Sequence, residues 1–386
     1  MTSPTVAYIV GARPNFVKMA PVIHELQARM PSARHLVVHT GQHYDREMSE
    51  IFFEQLGLAE PDYLLGVGSG SHGMQIGRAL ERIEDVLAHE SPALVVVAGD
   101  VNSTLAGALA AAKLGIPIAH LEAGLRSFDR TMPEEINRIL TDQLSHWCFI
   151  HSPEAEDNLL REGIAPGRVF FAGNTMIDTL VRMRPLVERS DVIERLGLRS
   201  AKYVLVTLHR PNLVDTPLFG EVLAALERLS SWLPVVFPMH PRSRKRLAAY
   251  SVAASEHLRL VDPVGYIDFL ALESAAAAVV TDSGGVQEET TFLRVPCFTL
   301  RDNTERPVTV QHGTNRVIGL RPDLLDQVPA FVEEAAIPLT APHAWDGHAA
   351  VRVADVLCSA LTGDTRTPLS VAAEWAGVPS AVAQNH

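Results

Sequence analysis

Short and almost uninterrupted apolar runs recur along this chain, and a segment with helical periodicity follows nearly every one of them. The run "TVAYIV" comes before "FVKMAPVIHELQARM", and the run "ALVVVAGD" comes before "NSTLAGALAAAKLG". Apolar strands joined by helices indicate a parallel β-sheet that helices cover on both faces. The pattern therefore predicts an α/β protein.

The alternation occurs twice, which predicts two domains. A charged helical stretch, "DTLVRMRPLVERSDVIERLGL", separates the first series of strands from a second series that begins at "KYVLVTLHR". A chain of 386 residues is also too long for one ordinary core. We expect two doubly wound, Rossmann-like domains that face a cleft, at residues 1–178 and 179–363, followed by an Ala/Pro/Ser-rich tail at 364–386.

Charge and cysteine content exclude several classes of protein. The net charge of −12 disfavours a nucleic-acid partner, which requires a basic face. The three cysteines are far apart and fit neither a disulfide framework nor zinc spacing. No signal-like segment opens the chain, and no apolar run is long enough to cross a bilayer. We expect a cytoplasmic protein with no membrane partner.

Polar side chains follow five of the predicted strands. Ligands of open parallel sheets bind outside the carboxyl ends of the strands. One such group after a strand is more often a turn or a helix cap, but five together favour a shared site. The five strand ends carry Arg13, Asp100, Glu122, His209, and the segment from Asp282 to Gly285.

The segment "TDSGGVQEE" is the most specific of these features. A strand, then Ser-Gly-Gly, then a helix start brings bare backbone N–H groups and the positive end of a helix dipole together, which is typical of an anion site. Glu288 or Glu289, one turn into the helix, could accept hydrogen bonds from ribose hydroxyls. In "GARPNFVK", Arg13 and Lys18 would suit a phosphate, but no G-x-G-x-x-G motif is present and a dinucleotide site is not predicted.

The segment "HLEAGLRSFDRTMPEEINR" raises the question of acid–base chemistry. Glu134 stands four residues before Arg138, with Thr131 as the predicted N-cap, so a helix-stabilising ion pair explains Glu134 on its own. Asp100 and Glu122, however, are predicted at nearby strand ends. Three acids that converge raise one another's pKa values, which suits general acid–base catalysis.

Two histidines, His43 and His120, are interpreted as core or supporting residues rather than as reacting groups.

Seven segments together resemble the non-hydrolysing UDP-N-acetylglucosamine 2-epimerases, a family with the two-domain glycosyltransferase-B architecture. They span residues 11–319 in the family's order. The segments are "GARPNFVKMAPV", "TGQHYD", "VAGDVNSTLAGALAAAKLGIPIAHLEAGLRS", "PEEINR", "GNTMIDTL", "TDSGGVQEE" and "RDNTERPVTVQHGTNRVIG".

The resemblance implies roles for individual residues. Four positions match those linked with catalysis in the family: Asp100, Glu122, Glu134 and His209. Nine others match the substrate-binding positions, with Arg13 and Lys18 at the pyrophosphate or the sugar, the backbone around Val264 and Phe269 flanking the uracil, Ser283, Gly284 and Gly285 at the phosphates, Glu289 at the ribose, and Arg306 lining the nucleotide site.

The resemblance also implies the reaction and the partners. UDP is eliminated across C1–C2 of UDP-N-acetylglucosamine to give 2-acetamidoglucal, and is added back with C2 inverted to give UDP-N-acetylmannosamine. A UDP-sugar is then the substrate, no metal or other cofactor is expected, and the expected assembly is a homodimer. Pro211 stands where the family often has a basic residue that is linked to a second, activating substrate molecule.

Three alternatives stay open at this point. A hydrolysing 2-epimerase would release UDP and N-acetylmannosamine, because it shares the elimination step. A sugar transferase of the same fold would need an acceptor site. A nucleotide-sugar sensor would bind the ligand without turnover.

Overall fold

The computed structural model describes residues 3–41, 53–247, 250, 257–334, 337 and 340–363. Its internal contacts divide the chain into two compact units. Unit 1 comprises Met1–Leu125, Arg130–Thr175 and His348–His386, and unit 2 comprises Arg126–Asp129 and Met176–Gly347. The predicted tail at 364–386 lies outside the described residues. Among the helices of the described part, none is long and apolar enough to span a membrane.

Unit 1 is built on a seven-stranded sheet in which the paired strands run parallel, with the order β3-β2-β1-β4-β5-β6-β7. The strands are β1 Thr5–Val10, β2 Arg34–His39, β3 Tyr63–Leu64, β4 Leu94–Ala98, β5 Ile118–Leu121, β6 Trp147–Ile150 and β7 Val169–Phe171. The described helices of this unit are α1 Arg13–Arg29, α2 His72–Glu90, α3 Asn102–Lys113, α4 Pro133–Leu144 and α5 Pro153–Arg161, with a 3₁₀ turn at Pro166–Arg168.

Small residues let α3 approach this sheet closely. The helix reads "NSTLAGALAAAK", and nine of its residues are buried. A Cβ atom at Gly107 would lie only 3.0 Å from side-chain atoms of Ile9 on β1. The Ala- and Gly-rich sequence therefore fixes the distance between helix and sheet, and with it the position of the loop that precedes the helix.

Unit 2 is built on a six-stranded sheet of parallel pairs with the order β10-β9-β8-β11-β12-β13. The strands are β8 Val204–Thr207, β9 Val235–Pro238, β10 Leu258–Val261, β11 Ala278–Thr281, β12 Cys297–Thr299 and β13 Asn315–Val317. After α6 Thr175–Val187, which enters this unit, its described helices are α7 Val192–Arg195, α8 Pro211–Val214, α9 Leu218–Leu229, α10 Pro241–Leu247, α11 Tyr266–Ser274, α12 Gly284–Leu293, α13 Pro307–Gln311 and α14 Val328–Glu334, with a 3₁₀ helix at Pro322–Gln327. Two parallel sheets with alternating helices confirm the predicted α/β class.

The last described helix, α15 (Ala349–Thr362), packs against α1 and so belongs to unit 1. Arg29 on α1 forms an ion pair with Asp355 on α15, and Arg352 Nη1 donates to the carbonyl of Ala172 at 3.0 Å. The predicted second domain, 179–363, includes this helix because the prediction followed the order of the elements along the chain. The predicted domain boundaries stay a prediction.

Candidate functional site

The loop after β1 is held to the end of β4 by one side chain. Asn15 Oδ1 accepts the N–H groups of Gly11 and Ala12 at 3.1 Å each, and Asn15 Nδ2 donates to the carbonyl of Ala98 at 2.8 Å. A Cβ atom at Gly11 would lie 2.1 Å from Ser103 Oγ, so only glycine fits there. The loop that carries "GARPN" is therefore fixed relative to the strand end that carries Asp100.

Lys18 and Glu122 form a buried ion pair in unit 1. Lys18 lies on α1, and Glu122 is the first residue after β5. The side chains are only 9% and 7% exposed. A Cβ atom at Gly99 would lie 3.1 Å from Lys18 Nζ and 3.2 Å from Glu122 Oε2. Glycine at position 99 thus makes room for the ion pair at the carboxyl end of β4.

The backbone of Glu122 adopts an uncommon conformation. Its φ angle is +67°, in the left-handed region that a residue with a Cβ atom enters at a cost of roughly 1–3 kcal/mol. Such strain persists where the surrounding structure requires a particular side-chain direction. At Glu122 that direction leads to the Lys18 ammonium group.

Asp100 is paired with Arg138, which differs from the predicted ion pair. Arg138 Nη2 donates to Asp100 Oδ2 at 2.6 Å, and Nη1 donates to Glu135 Oε2 at 2.5 Å. Helix α4 begins at Pro133 with Met132, rather than Thr131, at the N-cap position. Glu134 is half-buried in the first turn, and among the described residues it is not bonded to Arg138. A helix-internal ion pair with Arg138 therefore does not explain Glu134.

His120 lies in the interior, as the sequence predicts. Its Nδ1 is 2.7 Å from Asp142 Oδ1, and its Nε2 is 2.8 Å from the carbonyl oxygen of Gly99. The second carboxylate oxygen of Asp142 accepts the N–H of Gly124 at 3.1 Å. The ring thus links the ends of β4 and β5. The other predicted supporting residue, His43, lies outside the described residues.

A small pocket in unit 1 contains one residue that the sequence analysis did not single out. Its lining includes Lys18, Glu122, His151 and Asn174. His151 directly follows β6, and it is 2% exposed. The sequence feature that could have identified His151 is its position directly after the apolar run "WCFI", which matches the position of Glu122 after β5.

In unit 2, His209 is held by a buried carboxylate. Asp282 Oδ2 accepts the N–H groups of His209 and Arg210 at 2.9 and 2.7 Å, and Asp282 Oδ1 is 3.1 Å from His209 Nδ1. Burial alone would raise the pKa of Asp282, but the hydrogen bond and charge of His209, with the two N–H groups, hold that pKa below its usual value. A carboxylate only accepts hydrogen bonds, so this oxygen favours a proton on Nδ1 of His209.

The Ser-Gly-Gly segment begins a helix, as predicted. Ser283 is the N-cap of α12, which starts at Gly284. A Cβ atom at Gly284 would lie 2.4 Å from Arg306 Nη1, whereas one at Gly285 would make ordinary contact with Met176. A guanidinium group therefore lies against the first turn of the helix. Arg306 Nε is 3.0 Å from Glu288 Oε1, within a buried ion-pair cluster.

Glu289 lies on the same helix, buried against α11. The hydroxyl of Tyr266 donates to Glu289 Oε1 at 2.8 Å. Burial raises the pKa of Glu289 to about 7, with the Tyr266 hydrogen bond opposing the shift and the charge of Glu288 adding to it. Burial and the nearby Glu289 charge also hold the pKa of Glu273 well above its usual range.

The remaining predicted residues are described in part. Val264 and Phe269 are half-buried and pack against an apolar cluster of unit 2. Arg13 is the first residue of α1, and its side chain lies outside what the structure describes. Each unit therefore gathers its own set of predicted residues at the carboxyl ends of its strands, and the assignment of catalytic or binding roles to them stays a prediction.

This chain is similar to 2-epimerases of UDP-sugars over most of its length. A family model described as UDP-N-acetylglucosamine 2-epimerase matches residues 24–358. A UDP-N-acetylglucosamine 2-epimerase of Methanococcus maripaludis is 44% identical over 328 residues, covering 82% of this chain and 88% of the relative. A UDP-2,3-diacetamido-2,3-dideoxy-D-glucuronate 2-epimerase of Pseudomonas aeruginosa is 44% identical over 322 residues, covering 82% of this chain and 89% of the relative.

A solved structure of a 2-epimerase has the same fold as this chain. The UDP-GlcNAc 2-epimerase of Methanocaldococcus jannaschii, in complex with UDP-GlcNAc and UDP, superposes with a TM-score of 0.85 at 40% identity. The match covers 92% of this chain and 99% of that chain. The predicted glycosyltransferase-B fold class is confirmed.

Proposed function

Because this chain belongs to the UDP-N-acetylglucosamine 2-epimerase family, we propose that it interconverts UDP-N-acetylglucosamine and UDP-N-acetylmannosamine. The observation that carries the proposal is the buried Lys18–Glu122 pair, with Glu122 held at a positive φ angle beside Gly99. A strained, buried carboxylate next to an ammonium group at a strand end suits proton transfer in a site from which water is excluded.

We propose that unit 1 carries out the proton transfers. A base takes the C2 proton, the electron pair of the C2–H bond forms the C1=C2 bond of 2-acetamidoglucal, and UDP leaves with the electron pair of the C1–O bond. UDP then adds back to C1 while a proton returns to the opposite face of C2. Transfers on two faces need more than one acid–base group, and the candidates are Asp100, Glu122 and Glu134.

We propose that unit 2 binds the UDP moiety. The N–H groups at Ser283, Gly284 and Gly285 and the adjacent Arg306 would stabilise the phosphates, since a helix N-terminus and a guanidinium group both favour negative charge. His209 would assist the leaving group. The uracil would lie at Val264 and Phe269, the ribose at Glu289, and the pyrophosphate or sugar at Arg13 and Lys18.

One incubation tests the proposal against its rivals. The purified protein is mixed with UDP-N-acetylglucosamine, and the products are followed by proton and phosphorus NMR. UDP-N-acetylmannosamine without an acceptor supports the proposal. Free UDP with N-acetylmannosamine indicates a hydrolysing enzyme, and binding without turnover indicates a sensor. A parallel incubation with UDP-2,3-diacetamido-2,3-dideoxy-D-glucuronate tests the substrate named for the Pseudomonas relative.

Affinity for the UDP-sugar is expected to fall as the pH drops below about 7. Burial raises the pKa of Glu289 to about 7, and only the ionised carboxylate accepts hydrogen bonds from both ribose hydroxyls. Between pH 8 and pH 6 the ionised fraction falls about tenfold, so the dissociation constant should rise by up to about tenfold. Calorimetry with UDP-glucose measures this, because its pyrophosphate diester does not titrate in that range.

The control for this prediction is Glu289→Gln, which should bind more weakly at pH 8 and show no such pH dependence. Folding stability depends on pH in the opposite direction to affinity: through Glu289, a lower pH stabilises the folded protein but weakens binding of the UDP-sugar. Since the folded state raises the pKa of Glu289, it binds the proton more tightly than the unfolded chain, and this contribution to stability is lost as the pH rises through 7. A wild-type affinity that stays constant from pH 8 to pH 6 would contradict the role of Glu289.

A homodimer is proposed from the family resemblance, and α4 offers a surface for it. Ile136 and Leu140 lie one turn apart on this helix and are 41% and 46% exposed. We expect a dimeric mass by analytical ultracentrifugation at micromolar concentration, and a monomeric mass for the double variant Ile136→Glu, Leu140→Glu. The control Leu160→Glu, at an apolar site of similar exposure on α5, should stay dimeric. A monomeric wild type would refute the dimer.

A further inference from the structure

His151 lies at the same edge of the unit 1 sheet as Glu122, on the neighbouring strand. Glu122 is the first residue after β5, and His151 is the first residue after β6. The two strands pair in parallel, with Leu121 opposite Phe149. Parallel neighbours deliver the residues beyond their carboxyl ends to one place. The fold therefore brings an imidazole and the strained carboxylate together.

The distances and the burial agree with this placement. A ring nitrogen of His151 and a carboxylate oxygen of Glu122 lie within 4.8 Å of each other. Both side chains line the pocket that also contains Lys18. His151 is 2% exposed, and the burial of a polar ring costs free energy that must be offset by its interactions. His120 lies elsewhere, because its ring joins Gly99 to Asp142 inside the core and lines no part of this pocket.

We propose that His151 is a positioning residue that acts through Glu122, and that it exchanges a proton with that carboxylate during the epimerisation. The inference rests on the proposed function. When Glu122 has taken the C2 proton, the proton passes from its carboxyl group to the lone pair of a His151 ring nitrogen. An imidazolium forms, and the carboxylate is restored beside Lys18. The transfer runs in reverse when a proton returns to C2.

A histidine beside Glu122 is useful because of the proton balance of the reaction. An epimerase must restore the protonation states of its acids and bases in every turnover, and a buried pocket offers little water to do so. Histidine is the side chain that gains and loses a proton most readily near neutral pH. Lys18 holds one oxygen of Glu122, so the other oxygen can carry the proton and pass it to the imidazole while the hydrogen bond from Lys18 stays in place.

The test compares three variants by kcat, KM and C2-proton exchange in deuterated solvent. His151→Ala is expected to lower kcat and exchange by at least about 10²-fold, with KM within about twofold of wild type. His151→Gln keeps hydrogen-bonding groups but has no basic nitrogen, so its kcat should also stay low. Added imidazole should restore part of the activity of His151→Ala. The control is His35→Gln, at the opposite edge of the sheet, where His35 Nδ1 lies 2.8 Å from the Tyr8 hydroxyl; it should keep the wild-type kcat.

The outcomes are distinguishable. A wild-type protein that does not epimerise refutes the proposed function itself. If the wild type is active, three results overturn the role of His151: a kcat of His151→Ala within about threefold of wild type, full activity of His151→Gln, or a loss in His151→Ala that imidazole does not relieve and that follows a lowered melting temperature. If His151→Ala does not fold, the comparison of His151→Gln with wild type decides between a proton acceptor and a structural residue.

Discussion

Glu122→Gln is expected to lower turnover by at least about 10²-fold, the scale of lost general acid–base catalysis, with UDP affinity nearly unchanged. Glutamine keeps the size of the side chain but cannot take up or release a proton. Most of the proposed UDP contacts, at α12, Arg306, Val264 and Phe269, lie in unit 2, so the loss of the Glu122 carboxylate should affect the chemistry much more than nucleotide binding. Glu134→Gln is expected to behave in the same way, because Arg138 is bonded to Asp100 and Glu135 instead.

Exchange of the C2 proton with deuterated solvent gives the second measurement, because a proton-transfer variant should exchange slowly even where product formation is hard to detect. The matched control is Glu84→Gln on the exposed face of α2, which should leave both rates unchanged. Normal turnover and exchange in Glu134→Gln, with a small loss of stability, would indicate that Glu134 only stabilises the first turn of its helix.

Asp282→Asn is expected to preserve the fold and to lower turnover by at least about 10²-fold. One oxygen must remain where Asp282 accepts the N–H groups of His209 and Arg210. The amide nitrogen of asparagine is therefore forced to face Nδ1 of His209, where it donates rather than accepts. Nδ1 must then accept this donor and lose its proton, so the ring is neutral rather than an imidazolium and stabilises the anionic UDP leaving group less.

Asp282→Ala provides the comparison, because it removes the acceptor as well as the charge. Two N–H groups lose their partner, and we expect the free energy of unfolding to fall by about 2–4 kcal/mol. The melting temperature should therefore drop in Asp282→Ala and change little in Asp282→Asn, while turnover falls in both. Full activity of Asp282→Asn would show that a negative charge beside His209 is not needed for turnover.

The sequence predicted the parts of the molecule that depend on local pattern. Apolar runs and glycines predicted the α/β class and the helix that begins after Ser283. Helical spacing offered Glu134 as a partner for Arg138, whereas Arg138 is bonded to Asp100, and a pairing across 38 residues leaves no trace in helical spacing. His151 was overlooked because one polar residue after a strand resembles an ordinary cap. The importance of His151 is apparent only when the neighbouring strand is known. The sheet order shows that β6, which precedes His151, lies next to β5, which precedes Glu122.

Helix α15 has a consequence for the way this chain is made. Met176–Gly347, which belong to unit 2, are synthesised between Thr175 and α15, both of which belong to unit 1. At roughly 5–20 residues per second, the ribosome needs on the order of ten seconds or more to reach α15. Until then the face of α1 that packs on α15 stays uncovered, and the pocket of Lys18 and Glu122 lacks the wall that Val353 provides. The lining of the pocket of Lys18 and Glu122 can therefore be completed only after Met176–Gly347 have been synthesised.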